Sequence, residues 1–343
     1  MKRKKMSKVE SVLLTIAIIT LGLLNGCGSS RNAEKESAYV WPEPPDTARI
    51  KYVRTLRGED DFTSGLGAVV KTLAGEKTVV QLSRPFDICV ADEGRIFVTD
   101  VSQGIFMFDL KEKQVKVLGE ESPVELKNPR GIAYGHGKVF VSLASVGQIA
   151  VLDKEGRFIK LIGKPESFPN TVDVVCDTNR SRILIVDNKY HQIYVCSENG
   201  DSIMTIGQRG VGDGEFNYPQ SAAVDADGSI YVVDAMNFRI EVFDSTGKFL
   251  RKFGKQGDAF GMFNRPKGIA IDSYKNIYVL DAIHQNYQIF NNNGELLLYV
   301  GKYSGDNDGF ENPISIAIDR NNTIYVTDQL NGRVQVFQLL EYK

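Results

Sequence analysis

The chain has 343 residues, 42% of them hydrophobic and 24% charged, with a formal net charge of −2 and four cysteines. That length and balance exclude a disordered chain, a collagen and a disulfide-stapled miniprotein, and the near-zero charge carries no nucleic-acid footprint. The 32 glycines, 18 phenylalanines and 14 tyrosines beside a single tryptophan predict many short strands and many turns.

Residues 1–26 read as an export signal. Lys2, Arg3, Lys4, Lys5 and Lys8 precede an apolar stretch from Val12 to Leu24, shorter than the roughly 20 residues of a comfortable membrane span. The stretch closes on Leu24-Asn25-Gly26-Cys27, which resembles a bacterial lipobox. That resemblance implies that Cys27 is lipidated and becomes the first mature residue, with several acyl chains making attachment stable. Gly28 rather than Asp follows it, which in Gram-negative lipoproteins implies delivery to the outer membrane. Loss of the signal removes a net +4 and leaves a mildly acidic chain of −6, so no nucleic-acid partner is expected. Residues 27–46 are polar and then proline-rich, a flexible tether ending in Trp41-Pro42-Glu43-Pro44-Pro45. Packing of Trp41 onto the following domain is a better use of its area than a binding hook.

Residues 47–343 are expected to form one domain. Ala48 to Gly58 reads as a strand, a short helix is expected at 66–73, and from residue 84 the chain repeats itself. Prolines open the copies at 85, 129, 169, 219, 266 and 313, in steps of 44, 40, 50, 47 and 47 residues, the period of propeller blades. Each copy holds four β-rich runs separated by turn chemistry such as Asp227-Gly228 and Asn292-Asn293-Gly294. The sixth copy ends three strands in, so the strand at 48–58 is expected to complete it and remove an exposed edge. The fold predicted is all-β: a six-bladed β-propeller of four-stranded antiparallel blades, closed by an N-terminal strand. The run Tyr-Val-x-Asp-x-x-Asn-x-Arg-Ile-x-Val-Phe at Tyr231–Phe243, its near copy at Tyr325–Phe337 and the connector Gly207–Asn217 resemble NHL repeats. The whole chain is similar to the envelope lipoproteins of that family that begin with a Trp-Pro-rich strap.

Recurrence separates architecture from function. An Asp ends the second strand at Asp100, Asp187, Asp234, Asp281 and Asp328, with Ser142 as the exception; recurrence assigns these acids to turns and to pairing with Arg239 and Arg333, not to metal. The glycine-rich Gly207–Gly214 lacks the strand-before, helix-after context of a phosphate loop. Asp306-Asn307-Asp308-Gly309 and Asp225-Ala226-Asp227-Gly228 lack the later Glu of a calcium loop. Some six-bladed NHL proteins are zinc lyases acting on peptidyl-α-hydroxyglycine; the resemblance would place His directly after the opening prolines. Those positions hold Phe86, Arg130, Asn170, Gln220, Lys267 and Ile314, while His136, His191 and His284 lie elsewhere, so that chemistry is not supported. Cys89, Cys176 and Cys196 are expected to be buried thiols, a Cys176–Cys196 bridge being the alternative.

The departures from the repeat fall on the face shared by the inter-blade connectors and the loops between second and third strands. Arg130, Tyr190, His191, Met236, Phe238, Lys267, His284, Gln285 and Asn286 form the candidate partner-binding face, since aromatic, Met and Arg side chains at a concave mouth suit protein or peptide recognition. The sequence therefore predicts a membrane-anchored envelope lipoprotein with no catalytic, cofactor or metal residues assigned. Its monomeric propeller binds or scaffolds a protein or peptide; the alternative is a hydrolase or lyase with a metal in the channel.

Overall fold

Alternation of Val, Ile, Tyr and Phe with small or polar residues, punctuated by Gly and Asn at positive φ, builds twisted antiparallel blades in the computed structural model, which describes residues 39–62 and 80–340. Blades 1 to 5 each hold four strands in sequential order. Their innermost strands are Pro85–Val90, Pro129–Gly135, Thr171–Asp177, Pro219–Val224 and Pro266–Ile271. Blade 6 starts at Pro313–Ile318 and is completed from the other end of the chain: Ile50–Leu56 pairs antiparallel with Arg333–Leu339, Ile50 opposite Leu339 and Leu56 opposite Val334. The expected closure is present. The helix expected at 66–73 falls outside the described residues, as do the signal and Cys27.

Part of the tether belongs to the fold. Val40–Trp41 adds a fifth strand to blade 6, Trp41 opposite Ile50, and the Trp41 indole meets the Phe337 ring edge-on at 5.6 Å. Burial of an aromatic against a ready-made strand edge overrides the local preference of the Pro-rich run for an independent extended chain.

Two assignments of register change. In blade 3 the residue paired with the end of the second strand is Thr171, opposite Asp187, where the other blades have a proline. Pro169 lies two residues upstream, at the connector position held by Asn217 and Asn264 elsewhere. In blade 2 the residue at the Asp position is Leu143, opposite Pro129, so Ser142 corresponds to Thr99 and Thr327 and is not a substitute for the missing Asp.

The recurring Asp residues hold the turns. Asp100 accepts backbone N–H bonds from Ser83 and Arg84 in the connector and from Ser102 and Gln103 in the loop. In blade 6 Asp328 accepts the Glu311 N–H and pairs with Arg333 Nε at 2.8 Å, both side chains fully buried. Arg333 then donates to the carbonyls of Gly305, Asp306 and Gly309. The hydrophobic layers lie between neighbouring blades, for example Phe216, Phe243, Ile230 and Leu184 between blades 3 and 4. Cys89, Cys176 and Cys196 are free thiols, Cys176 and Cys196 flanking Ile183 from the two adjacent strands.

Removing one partner of the buried pair leaves an uncompensated charge, so Arg333→Ala is expected to cost about 3–5 kcal/mol in chemical denaturation. Arg320→Ala, which breaks an exposed pair with Asp92, should cost under about 1 kcal/mol. Equal effects would show that the connector pairing is not what holds the blade.

Candidate functional site at the channel mouth

The first strands of the six blades surround the propeller axis, and the start of each strand lies on the face of the second-to-third-strand loops. There a cavity of about 200 Å³ is lined by residues from every blade: Phe86 and Asp87, Arg130, Val172 with Asp173 and Asn188, Gln220 and Ser221, Lys267, and Ile314 with Ser315. Correcting blade 3 replaces Asn170 by Val172 in the ring that follows the opening residues. One step deeper the ring reads Asp87, Gly131, Asp173, Ser221, Gly268 and Ser315.

That second ring contains an acid pair. Asp87 of blade 1 and Asp173 of blade 3 are buried and hydrogen-bonded to each other. Blade 2 stands between them and offers Gly131, where a Cβ would lie 2.6 Å from Asp173 backbone atoms, so glycine there lets the first strands of blades 2 and 3 approach this closely. Asp87 also accepts N–H bonds from Ile88 and Ile132 and the Ser315 hydroxyl. Asp173 accepts from the Ala222 N–H at 2.9 Å and the Ser221 hydroxyl at 2.7 Å. Burial, opposed by these bonds, pushes the Asp173 carboxyl up to about 6, and burial plus the Asp173 charge holds Asp87 well above the usual carboxylate range.

The two cations of the cavity come from blades 2 and 5, which face each other across the ring. Arg130 donates to Asn170 Oδ1 at 3.0 Å and lies over the Phe86 ring, 6.0 Å from its centre. Lys267 donates to Gln220 Oε1 at 2.9 Å. Burial, with a smaller effect from Arg265, brings its amine down to about 8.

The remaining sequence-selected residues divide. Tyr190 and Met236 are exposed on the same face. His191 is buried, its Nδ1 accepting the Tyr218 N–H at 2.9 Å, and Gln285 accepts the Asn312 N–H at 2.8 Å. Phe238 is half-buried against the layer between blades 4 and 5. His284 sits where Asn237 and Asn331 stand in neighbouring blades, beside Asp281 and Asn264. Asn286 is buried at the position of Arg239 and Arg333. Of these five side chains, His191, Gln285 and Phe238 fasten one blade to the next.

Four residues escaped the sequence reading. Asp87 and Asp173 were hidden by the shifted proline of blade 3, although the uneven steps of 40 and 50 residues marked the irregularity. Ile283 and Leu330 were hidden by recurrence itself: with Met236 they occupy one equivalent loop position in blades 5, 6 and 4, each more than half exposed. Among the described residues no three His, Cys, Asp or Glu side chains are grouped to hold a metal ion.

With this geometry in view, known proteins give the same architecture. Residues 155–240 and 225–287 match a family described as a 6-bladed beta-propeller. Residues 310–337 match the NHL repeat. No curated protein sequence matches the chain. Among solved structures, the chain is similar to virginiamycin B lyase from Staphylococcus aureus at 14% identity and TM-score 0.57, over 85% of this chain and 100% of that one. It is also similar to an auxiliary nutrient binding protein from Bacteroides thetaiotaomicron at 13% identity and TM-score 0.59, over 75% and 70% of the two chains. At such identities the likeness is one of fold, and function is argued from the site.

The raised carboxyls have a readout. In a pH titration followed by carboxyl-carbon NMR, Asp173 should titrate near 6 and Asp87 above the usual carboxylate range. Because native pKa values lie above the unfolded ones, the pair holds protons that the unfolded chain releases; its contribution to stability falls as pH rises from about 4 to 6. Titration of both groups below about 4.5 would contradict the pairing.

Proposed function

We propose that the protein is an exported, lipid-anchored propeller that binds a protein or peptide partner across its channel mouth without catalysing a reaction. The observation that carries this reading is the coincidence, on one face, of the six-blade cavity with its two cations and the exposed apolar side chains Met236, Ile283 and Leu330. A concave polar centre bordered by Met, aliphatic and aromatic side chains is the composition of a recognition surface. Tyr190 extends it on blade 3. The carboxyls at the floor have their oxygens committed to backbone N–H groups and to each other, which suits a fixed lining better than an acid or base that must exchange protons with a substrate.

The anchor part of the proposal rests on the Lys-rich start, the apolar stretch and Leu24-Asn25-Gly26-Cys27. Trp41 docks on blade 6, so in sequence the propeller begins within fifteen residues of Cys27.

Photo-cross-linkers placed at Met236 and Ile283 in native membranes should capture a defined partner, and Met236→Ser with Ile283→Ser and Leu330→Ser should reduce capture by another probe on that face at least tenfold. Equal capture from Asn199, on the opposite face, would contradict the assignment. Separately, Cys27→Ser should move the protein from the membrane to the soluble fraction; retention on membranes would refute lipid anchoring.

A further inference from the structure

We propose that the channel mouth is a carboxylate-binding site, in which Arg130 and Lys267 grip a carboxylate of the bound peptide or protein. The inference deepens the binding reading above and rests on it for the ligand's larger identity.

Both cations are held in the cavity by neutral amides, Arg130 by Asn170 and Lys267 by Gln220, and neither forms an ion pair among the described residues. The recurring arginines behave oppositely: Arg239 and Arg333 have carboxylates of their own, Asp234 and Asp328. The two acids nearest the cavity are consumed by backbone N–H groups, serine hydroxyls and each other. Burial holds both carboxyls above the usual carboxylate range, so they oppose the two cations less than two free carboxylates would. A buried ammonium without a counterion is costly, and an incoming anion recovers part of that cost.

The chemistry selects the kind of anion. The backbone N–H groups of Ile132 and Ala222 at the floor are already given to Asp87 and Asp173, which leaves anion recognition to the two side-chain cations rather than to a backbone phosphate cradle. The Phe86 ring lies 6.0 Å from the Arg130 guanidinium, which beyond its bond to Asn170 keeps the planar donor fork that suits a carboxylate. A volume of about 200 Å³ admits a carboxylate with a short side chain attached and keeps the rest of a peptide at the rim, beside Tyr190 and Met236. Arg130 and Lys267 approach from opposite blades, so a carboxylate between them reads the diameter of the ring as well as its charge.

Calorimetric titration of the folded mature chain with acetate, benzoate, sulfate and phosphate tests the class. N-acetylated dipeptides with free or amidated C-termini, and N-acetyl-glutamate amide, separate a chain terminus from an acidic side chain as the source. Carboxylates should bind, sulfate and phosphate should bind at least tenfold more weakly, and Arg130→Gln or Lys267→Gln should each weaken benzoate binding at least tenfold with the melting temperature little changed. Should either variant melt early, Arg130→Lys supplies the second test: charge is kept, the bidentate fork is lost, and benzoate binding should fall severalfold. Unchanged benzoate binding in the Arg130→Gln, Lys267→Gln double variant, or tighter binding of phosphate than of carboxylates, would overturn the proposal. If carboxylates fail to bind while cross-linking from Met236 persists, the carboxylate site is wrong and the recognition face stands. The reverse outcome removes the face and leaves the site.

Discussion

A carboxylate at the end of the second strand in five of the six blades, Asp100, Asp187, Asp234, Asp281 and Asp328, is the interaction on which the ring depends. A propeller turns its chain sharply twice at the same corner of each blade, once into the third strand and once from the preceding blade. Both turns leave backbone N–H groups in a place that neighbouring blades shield from water, where an unmet donor costs on the order of 1–3 kcal/mol. One carboxylate answers both. Asp187 takes the Asn170 N–H of the connector and the Lys189 and Tyr190 N–H groups of the loop, and Asp281 does the same for Asn264, Ile283 and His284. Blade 2, with Leu143 in that place, holds its loop by main-chain bonds instead, the Val146 and Gly147 N–H groups donating to the Leu143 carbonyl.

That constraint frees the inner rings. With blade junctions held at the corner and by the aromatic layers, the first strands need only pack closely around the axis, and their axis-facing residues are at liberty to differ. Glycine at 131 and 268 shows how closely: a Cβ on Gly268 would lie 2.9 Å from the Ser315 Cα. In the room so made, serine hydroxyls and two carboxyls from blades 1 and 3 form a fixed polar floor, and the opposed cations of blades 2 and 5 stand above it. The cavity is therefore a part of the ring whose chemistry does not repeat.

Sixfold repetition made the architecture readable from the amino-acid sequence, because each blade reports the same turn signals and strand lengths independently. Closure by the N-terminal strand followed from counting to a sixth blade that lacked its outer member. Where reading slipped, a local signal competed with register. Pro169 looked like a strand opener but occupies a connector position, and with it Asp173 moved out of the ring in which it belongs. Ser142 looked like a degenerate Asp because it lies one residue from Leu143, which is the true counterpart. Of the face residues, Arg130 and Lys267 were legible because no other blade has a cation there. His191, Gln285 and His284 also departed from the repeat, yet His191 and Gln285 replace glycine with side chains that accept a neighbour's backbone N–H, and His284 replaces asparagine beside Asn264 and Asp281. Departure from a repeat marks freedom from the common solution; only contacts show whether the freedom serves a ligand or a second way of joining blades.

Taken together, the corner carboxylates hold a rigid ring, the ring presents a small polar cavity, and the cavity carries uncompensated positive charge beneath an apolar rim. The most direct test is anomalous diffraction from crystals soaked in 4-bromobenzoate at neutral pH. The account predicts a bromine peak at the channel mouth with the carboxylate between Arg130 and Lys267; a vacant mouth, or bromine sites only on the outer strands, would contradict it.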